Sequence, residues 1–307
     1  VVDPAGRIYP RSQSAAQVRD ALADACARAG VEFIFNHAIR HLSPPPSPEA
    51  PWLADGISAR SVLLAAGGQS APRLGSDGSG FALARALGYD VVPPVPALVS
   101  LRTAETWPAA HSGLSLPDAA IAVAGRRGAS ERGELLFTHR GISGPAALNL
   151  SGRVARLLQE GAPVPIELDV LHAQPDFQAL RREAGARPVH AWLARSLPRA
   201  LAGTILELAG IPADLTFSRL SAAQEQELAR HLVALPLTVR GTGGFDESMA
   251  TSGGVSLKQV RPDTLEGRLT PRLHFAGEIL DLDGPTGGWN LQWAFCSGHL
   301  AGSAAAL

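Results

Sequence analysis

Between Leu273 and Gly298 the chain reads LHFAGEILDLDGPTGGWNLQWAFCSG, and the residues able to do chemistry stand where one element gives way to another. Leu273 to Ala276 reads as a buried parallel strand, Gly277 ends it, and Glu278 then stands at the carboxyl edge, where open α/β sheets take ligands. A carboxylate there can accept hydrogen bonds from sugar-like hydroxyls. Asp281 and Asp283 follow closely. Beyond Pro285, Thr286-Gly287-Gly288 permits a tight turn, and Asn290 to Leu300 carries apolar residues at helical spacing. The free amides of Trp289, Asn290 and Leu291 would then face the crevice and stabilise negative charge on a ring carbonyl. The plainer alternative is that Gly277, Gly287 and Gly288 are loop glycines and Glu278 a solvated acid.

Three further stretches carry candidate chemistry. Ser61 to Gly68 (SVLLAAGG) is a second buried strand whose end, Ala66-Gly67-Gly68, allows backbone amides to approach a ligand, or else makes a plain βα turn. Gly75, Gly78 and Gly80 open the helix Phe81 to Leu87, but their spacing reverses the dinucleotide fingerprint and they follow a loop. His139 and Arg140 lie just before a helix that starts at Pro145 and runs through Ala147, Leu150 and Val154. A histidine beside an arginine can bind an anion or move a proton, and equally can be structural.

The elements that must position these residues follow from periodicity. Pro4-Ala5-Gly6 signals a turn, and Ser14 is an N-cap for a helix with Val18, Ala21, Leu22 and Ala25 on its apolar face. Val31 to Ile39 reads as a strand buried on both sides, completing an αβ unit of a parallel sheet. Leu42 to Ala50 is a proline-rich loop before a short strand at Trp52. Pro93-Pro94-Val95-Pro96 reads as a domain boundary, and β-like segments follow at Leu98 to Arg102, Ala119 to Val123, Glu134 to Thr138 and Val164 to Leu168. Phe177 to Leu235 is helical, Leu237 to Arg240 is a returning strand, and glycine turns follow at Gly241 to Gly244 and Thr251 to Gly254.

Composition narrows the function classes. The 307 residues are 46% hydrophobic and 18% charged with a net charge of −1, a soluble globular composition that argues against nucleic acid or an anionic membrane as partner. Arginine supplies the cations apart from Lys258. Cys26 and Cys296 form no C-x-x-C pair, so no metal site is expected and a reducing, cytoplasmic setting fits best. No signal peptide or membrane-spanning apolar run is visible. A nucleophile elbow, a P-loop and an H-E-x-x-H helix are missing from the sequence.

AAGG at Ala65 to Gly68, RLGSDGSGFALARALG at Arg73 to Gly88, GELLFTHRGISGPAAL at Gly133 to Leu148, LPLTVRGTGGFDESMATSGGVSL at Leu235 to Leu257 and the stretch from Leu273 together resemble the bacterial FAD-dependent oxidoreductases of the BaiN-like or aminoacetone-oxidase-like type. The motifs fall in family order over nearly the whole chain. The resemblance implies an α/β fold, a glutathione-reductase-type, Rossmann-like domain binding FAD non-covalently, made of residues 1–92 and 245–307 and interrupted by a β-barrel-like and helical insertion at 93–244. It carries the cofactor role to Ala66, Gly67 and Gly68, with Ala66 replacing the family's frequent threonine. Gly277 and Glu278 match the acidic element at the ribityl and phosphate region, and Gly288 to Leu291 the helix start under the flavin, with Gly287 beside it also expected to bind the cofactor. Ser79 stands where many relatives carry Asp, and Asp77 is expected to compensate. Family members open with a strand, a G-x-G-x-x-G turn, a helix and a ribose-binding acid. The chain is expected to begin after that unit, at a point matching the family's G-R-x-x-P-R-S segment, Gly6 to Ser12.

The function expected is hydride transfer between an organic substrate or NAD(P)H and FAD, with a small-molecule substrate and His139 and Arg140 on the substrate side. A flavin-dependent RNA-modifying enzyme and a non-catalytic remnant or interaction module are the alternatives.

Overall fold

This computed structural model describes residues 1–3 and 6–306, so Pro4 and Ala5 of the expected turn, and Leu307, lie outside the described residues. Helix α1 (Ala15–Arg28) is followed by a small antiparallel meander of β1 (Leu42–Ser43), β2 (Trp52–Ala54) and β3 (Ile57–Ala59), then by β4 (Val62–Leu64) and α2 (Ser79–Ala86). Strand β5 (Val91–Ala97) leads into β6 (Leu101–Thr103), α3 (Trp107–Ala110), β7 (Ser115–Val123), β8 (Ser130–Thr138), β9 (Gly141–Ser143), α4 (Pro145–Leu158) and β10 (Val164–Asp169). Helices α5 (Phe177–Ala184), α6 (Val189–Leu193), α7 (Arg199–Leu208) and α8 (Ala222–Val233) come next. The chain ends with β11 (Leu235–Thr242), β12 (Ala250–Val255), β13 (Leu273–Phe275) and α9 (Trp289–Ala305). Among the described residues no helix is long and apolar enough to cross a membrane.

Strands β6 to β11 close into a barrel in the order β10-β11-β6-β9-β8-β7. Closure pairs every strand edge, which is what lets strands as short as β6 and β9 hold. Alternate residues of β8, β10 and β11 point inward, with Leu135, Phe137, Ile166, Leu168, Leu237 and Val239 buried, and β7 buries Leu116 and Ile121 on either side of a register shift. They share one core with Ala147, Leu150 and Val154 of α4 and with the inner faces of α6, α7 and α8. Burying each such Leu or Ile side chain stabilises the fold by roughly 1.5–3 kcal/mol. A capping box between Ser221 and Gln224 starts α8.

The second core lies around a parallel pair, β4 and β13, with Leu64 opposite Phe275. Trp52, Phe81 and Tyr89 complete it, and Tyr89 meets Phe275 edge-on with ring centroids 5.0 Å apart. Beside it runs an antiparallel ribbon of β5 and β12. The prolines read as a boundary therefore lie inside a strand. They are tolerated because β5 pairs on one side only and its register against β12 shifts between Val95 and Val92, so Pro93 and Pro94 fall at the irregularity. The Thr251 to Gly254 turn is likewise strand β12, buried along its whole length. Its glycines serve close approach: a Cβ on Gly253 would meet the Pro93 carbonyl oxygen at 2.7 Å, and one on Gly254 the Ile279 carbonyl oxygen at 2.5 Å. Both also have positive φ, at 109° and 137°.

Val31 to Ile39 forms no strand. Phe33 and Phe35 stack on each other with centroids 5.8 Å apart while both stay exposed. Apolar content alone does not make a strand; a lateral partner must offer its backbone, and among the described residues none does here. Helix α1 forms as expected, with Ser14 accepting from the Gln17 amide, yet it buries no residue.

Gly254→Ala should be among the most damaging single-methyl additions. The added Cβ strikes backbone that cannot retreat, so an expected loss of at least about 2 kcal/mol is read from urea unfolding, whereas Gly128→Ala, with open space around its Cβ, should cost less.

Candidate functional site

The acid at the strand edge is held by its neighbours before it can meet any ligand. Gly277, at φ +75°, turns the chain out of β13. Its amide donates to Ser297 Oγ at 2.9 Å and its carbonyl accepts from Trp293 Nε1 at 3.2 Å, so α9 fixes the peptide preceding Glu278. The Glu278 carboxylate then accepts from two backbone amides, Gly68 N on Oε2 at 3.0 Å and Thr251 N on Oε1 at 2.7 Å. Thr251 Oγ1 in turn accepts from the amides of Gln69 and Ser70 at 2.8 and 3.1 Å and shares a hydrogen bond with Ser70 Oγ at 2.9 Å. Ser248 Oγ donates to Ser70 Oγ at 3.0 Å. The ends of β4, β12 and β13 thus meet in one polar knot.

Glu278 was expected to face ligand hydroxyls, but each of its oxygens already holds a protein amide. Each retains a further lone-pair direction. Burial pushes its carboxyl above the ordinary carboxylate value, and the two amide bonds offset only part of that shift. Burial likewise raises Asp281.

The opposite component is the start of α9. Gly288 caps it without any side-chain bond, and the first intrahelical amide bond there is Gln292 N to Gly288 O at 3.0 Å. The amides of Trp289, Asn290 and Leu291 have no acceptor among the described residues. The Asn290 side chain closes the preceding turn, accepting from Gly284 N at 2.8 Å and donating to Gly284 O at 3.0 Å. Space in front of the turn is open: a Cβ on Gly288 would meet nothing within 4 Å, and one on Gly287 only the Trp289 ring at 3.8 Å. Trp289 and Leu291 are exposed.

Gly67 and Gly68 lie at the end of β4, and Ala66 beside them is exposed. Gly68 O accepts from Gly78 N at 3.0 Å, which brings the Arg73 to Gly80 loop to the same edge. Asp77 Oδ1 accepts from Ser79 N at 2.9 Å, bonding that also lowers its pKa, so this acid already serves the start of α2. His139 and Arg140 sit exposed at the hairpin joining β8 and β9. Arg140 approaches Glu247 at 3.6 Å, and no described contact brings His139 to the Glu278 knot.

Two depressions lie elsewhere. One, of about 530 Å³, is lined by Val95, Ala155, Leu158 and Arg240 among others. The other, of about 180 Å³, lies by His274, Glu266 and Arg60. Neither is lined by an expected site residue.

Sequence reasoning missed Thr251, Asn149 and Arg156. Thr251 had a faint signal, a hydroxyl beside two glycines in a stretch poor in turn-forming Asp or Asn. Asn149 and Arg156 had none, since a polar residue on an amphipathic helix reads as solvated. Asn149 Oδ1 accepts from Thr286 N at 2.8 Å, and Arg156 donates to Ser252 Oγ at 3.0 Å while standing 3.8 Å from Asp281.

The parallel pair, its glycine turn and the uncapped helix start, together with a six-stranded barrel, make this an α/β protein, and its family match is to a Rossmann domain. The chain belongs to the HI0933-like family, matching the HI0933-like protein Rossmann domain over residues 1–304. It is 36% identical to the 3-dehydro-bile acid delta(4,6)-reductase of Clostridium scindens, over 98% of this chain and 76% of that protein. It is also similar to the ribosomal RNA dihydrouridine synthases of Haemophilus influenzae and Escherichia coli. The first is 33% identical over 78% of this chain and 59% of that protein, the second 30% over 92% and 70%.

Two outcomes test the knot. Thr251→Val strands two backbone donors and a hydroxyl in a buried setting and should cost about 2–4 kcal/mol in chemical denaturation, with Thr251→Ser recovering most of it. For Glu278 the folded state keeps its proton to higher pH than the unfolded chain. Its linked stabilisation is therefore complete below the ordinary carboxylate pKa and is lost as pH rises through the raised folded value. Wild-type melting temperature should fall across that interval relative to Glu278→Gln, which lacks the titration; parallel profiles would contradict the assignment.

Proposed function

We propose that this protein is an FAD-dependent oxidoreductase that moves a hydride between an organic substrate or NAD(P)H and non-covalently bound FAD. The carrying observation is the juxtaposition at one sheet edge of the Glu278 knot with three acceptor-free amides at the start of α9, in front of open space over Gly287 and Gly288. These features fit the group: the amides suit a negatively polarised ring atom, and the glycines admit a flat ligand against backbone. The relatives' names favour reduction, since a reductase and a dihydrouridine synthase are both named for it.

In this reading Ala66, Gly67, Gly68, Gly277 and Glu278 hold the polyol side of FAD, and Gly287, Gly288 and the amides of Trp289, Asn290 and Leu291 hold its ring side. Bound FAD would supply hydride chemistry. The amides of Trp289 to Leu291 stabilise negative charge, and Arg140, steadied by Glu247, meets an anionic part of the substrate. His139 beside it is the available proton donor or acceptor. We further propose that residues 1–92 and 245–307 form the glutathione-reductase-type FAD domain and 93–244 the insertion. The β4–β13 pairing and the barrel between Leu101 and Thr242 support this division.

The names of two relatives support a second reading, in which the substrate is a uridine in ribosomal RNA rather than a small molecule. A net charge of −1 favours the small molecule.

The test is the visible absorbance of the complete protein purified from cells, followed by anaerobic NAD(P)H titration. Bound flavin that is reduced, then reoxidised by an unsaturated steroid ketone but not by ribosomal RNA, is the expected result. Reoxidation or dihydrouridine formation with RNA alone would favour the second reading, and absence of flavin would refute both.

A further inference from the structure

Helix α4 belongs to the barrel by its apolar face, where Ala147, Leu150 and Val154 enter the barrel core. Its other face is unlike a solvated one. Asn149, Gly152 and Arg156, spaced three and four apart, lie on one side of the helix and turn toward the β5–β12 ribbon and the loop beyond Glu278. Gly152 permits the approach: a Cβ there would stand 3.3 Å from the Ala97 Cβ and 3.6 Å from the Ser252 Cβ.

The two polar residues then grip the 281–288 loop at two points. Asn149 Oδ1 accepts from Thr286 N at 2.8 Å, immediately before Gly287 and Gly288. Arg156, about 10 Å further along the helix, stands 3.8 Å from Asp281 Oδ1 and is itself held by Ser252 Oγ at 3.0 Å. Between these points the Asn290 side chain closes the turn onto Gly284. Gly287 and Gly288 are in left-handed backbone, and a Cβ on Gly288 would meet nothing within 4 Å, so beyond the Asn290 clasp on Gly284 the hold on the Thr286 peptide comes from α4.

We infer that Asn149, assisted by Arg156, is the positioning residue for the Thr286-Gly287-Gly288 turn, so that the barrel's own helix, rather than the sheet, presents the α9 amides to the cofactor. The inference rests on the FAD reading above. It makes the barrel more than a cover for the site. Any displacement of α4 is transmitted to the turn through one hydrogen bond and one ion pair, without passing through Glu278. Asn149 touches neither substrate nor cofactor in this scheme; it acts through the Thr286 peptide.

The experiment uses the complete, flavin-loaded protein and three variants, Asn149→Leu, Asn149→Asp and Arg156→Gln. Leucine keeps the volume and removes the acceptor, whereas aspartate keeps an acceptor oxygen. Asn149→Leu should weaken FAD binding about tenfold, the size of one lost hydrogen bond, and shift the flavin's visible bands and reduction potential while the barrel's melting transition is preserved. Asn149→Asp should retain FAD affinity close to wild type, and Arg156→Gln should show a smaller loss than Asn149→Leu. An Asn149→Leu protein with wild-type FAD affinity, spectrum and potential would overturn the inference alone. So would Asn149→Asp losing as much as the leucine variant, because the acceptor would then not be the operative feature. Wild-type protein devoid of flavin would overturn the functional reading and this inference together.

Discussion

The carboxylate of Glu278 is the interaction on which the arrangement of strands depends. Strands β4 and β13 are three residues each, and so short a parallel pair has few ladder bonds with which to fix its own geometry. What orients their carboxyl ends is one acid accepting an amide from the end of β4 and another from β12, while Thr251 Oγ1 gathers the next two amides. Charge-assisted bonds of this kind are shorter and stronger than neutral ones, and burial removes competing water. The same burial raises the carboxyl's pKa, so the knot combines a strong bond with a desolvation cost. Removing the Glu278 carboxylate or Thr251 Oγ1 leaves, in either case, two backbone amides without their acceptor.

The two cores manage their surfaces differently. The barrel closes on itself, and its helices cover it so completely that between residues 93 and 244 Leu208 alone is a large hydrophobic residue left exposed among the described residues. In residues 1–92 and 245–307 the opposite holds. Val18 and Leu22 on α1, the Val31 to Phe35 run, and Trp289, Leu291 and Phe295 on α9 all remain open. Helix α4 links the two regimes, contributing methyl groups to one core and polar anchors to the loop that borders the other. A site built at such a seam inherits rigidity from the barrel and openness from the sheet edge.

Much was legible in the chain because it depends on local spacing. The β-segments of the barrel, the Pro145 helix, the Ser14 cap and the junctions at Gly67-Gly68 and Gly287-Gly288 all follow from alternation, helical period and the backbone freedom of glycine. The family was legible for a related reason: its glycine and acid motifs recur in order from Ala65 to Gly298, and the match extends over residues 1–304. What local spacing does not encode is the identity of a partner. Val31 to Phe35 has the content of a buried strand and lies exposed, because among the described residues no neighbouring strand meets it. Pro93 to Pro96 has the content of a linker and lies in a strand because β12 does meet it.

The sequence by itself therefore determined which residues can turn, cap, bury or accept a hydrogen bond, since those properties belong to single side chains and their near neighbours. Tertiary structure alone decided which of them act together. Glu278 reaches Gly68 across 210 positions, and Asn149 reaches Thr286 across 137. Neither contact has a spacing rule, because each arises where separately folded elements happen to converge. The role of the acid as a clamp, and the hold of the barrel on the α9 turn, are consequences of that convergence.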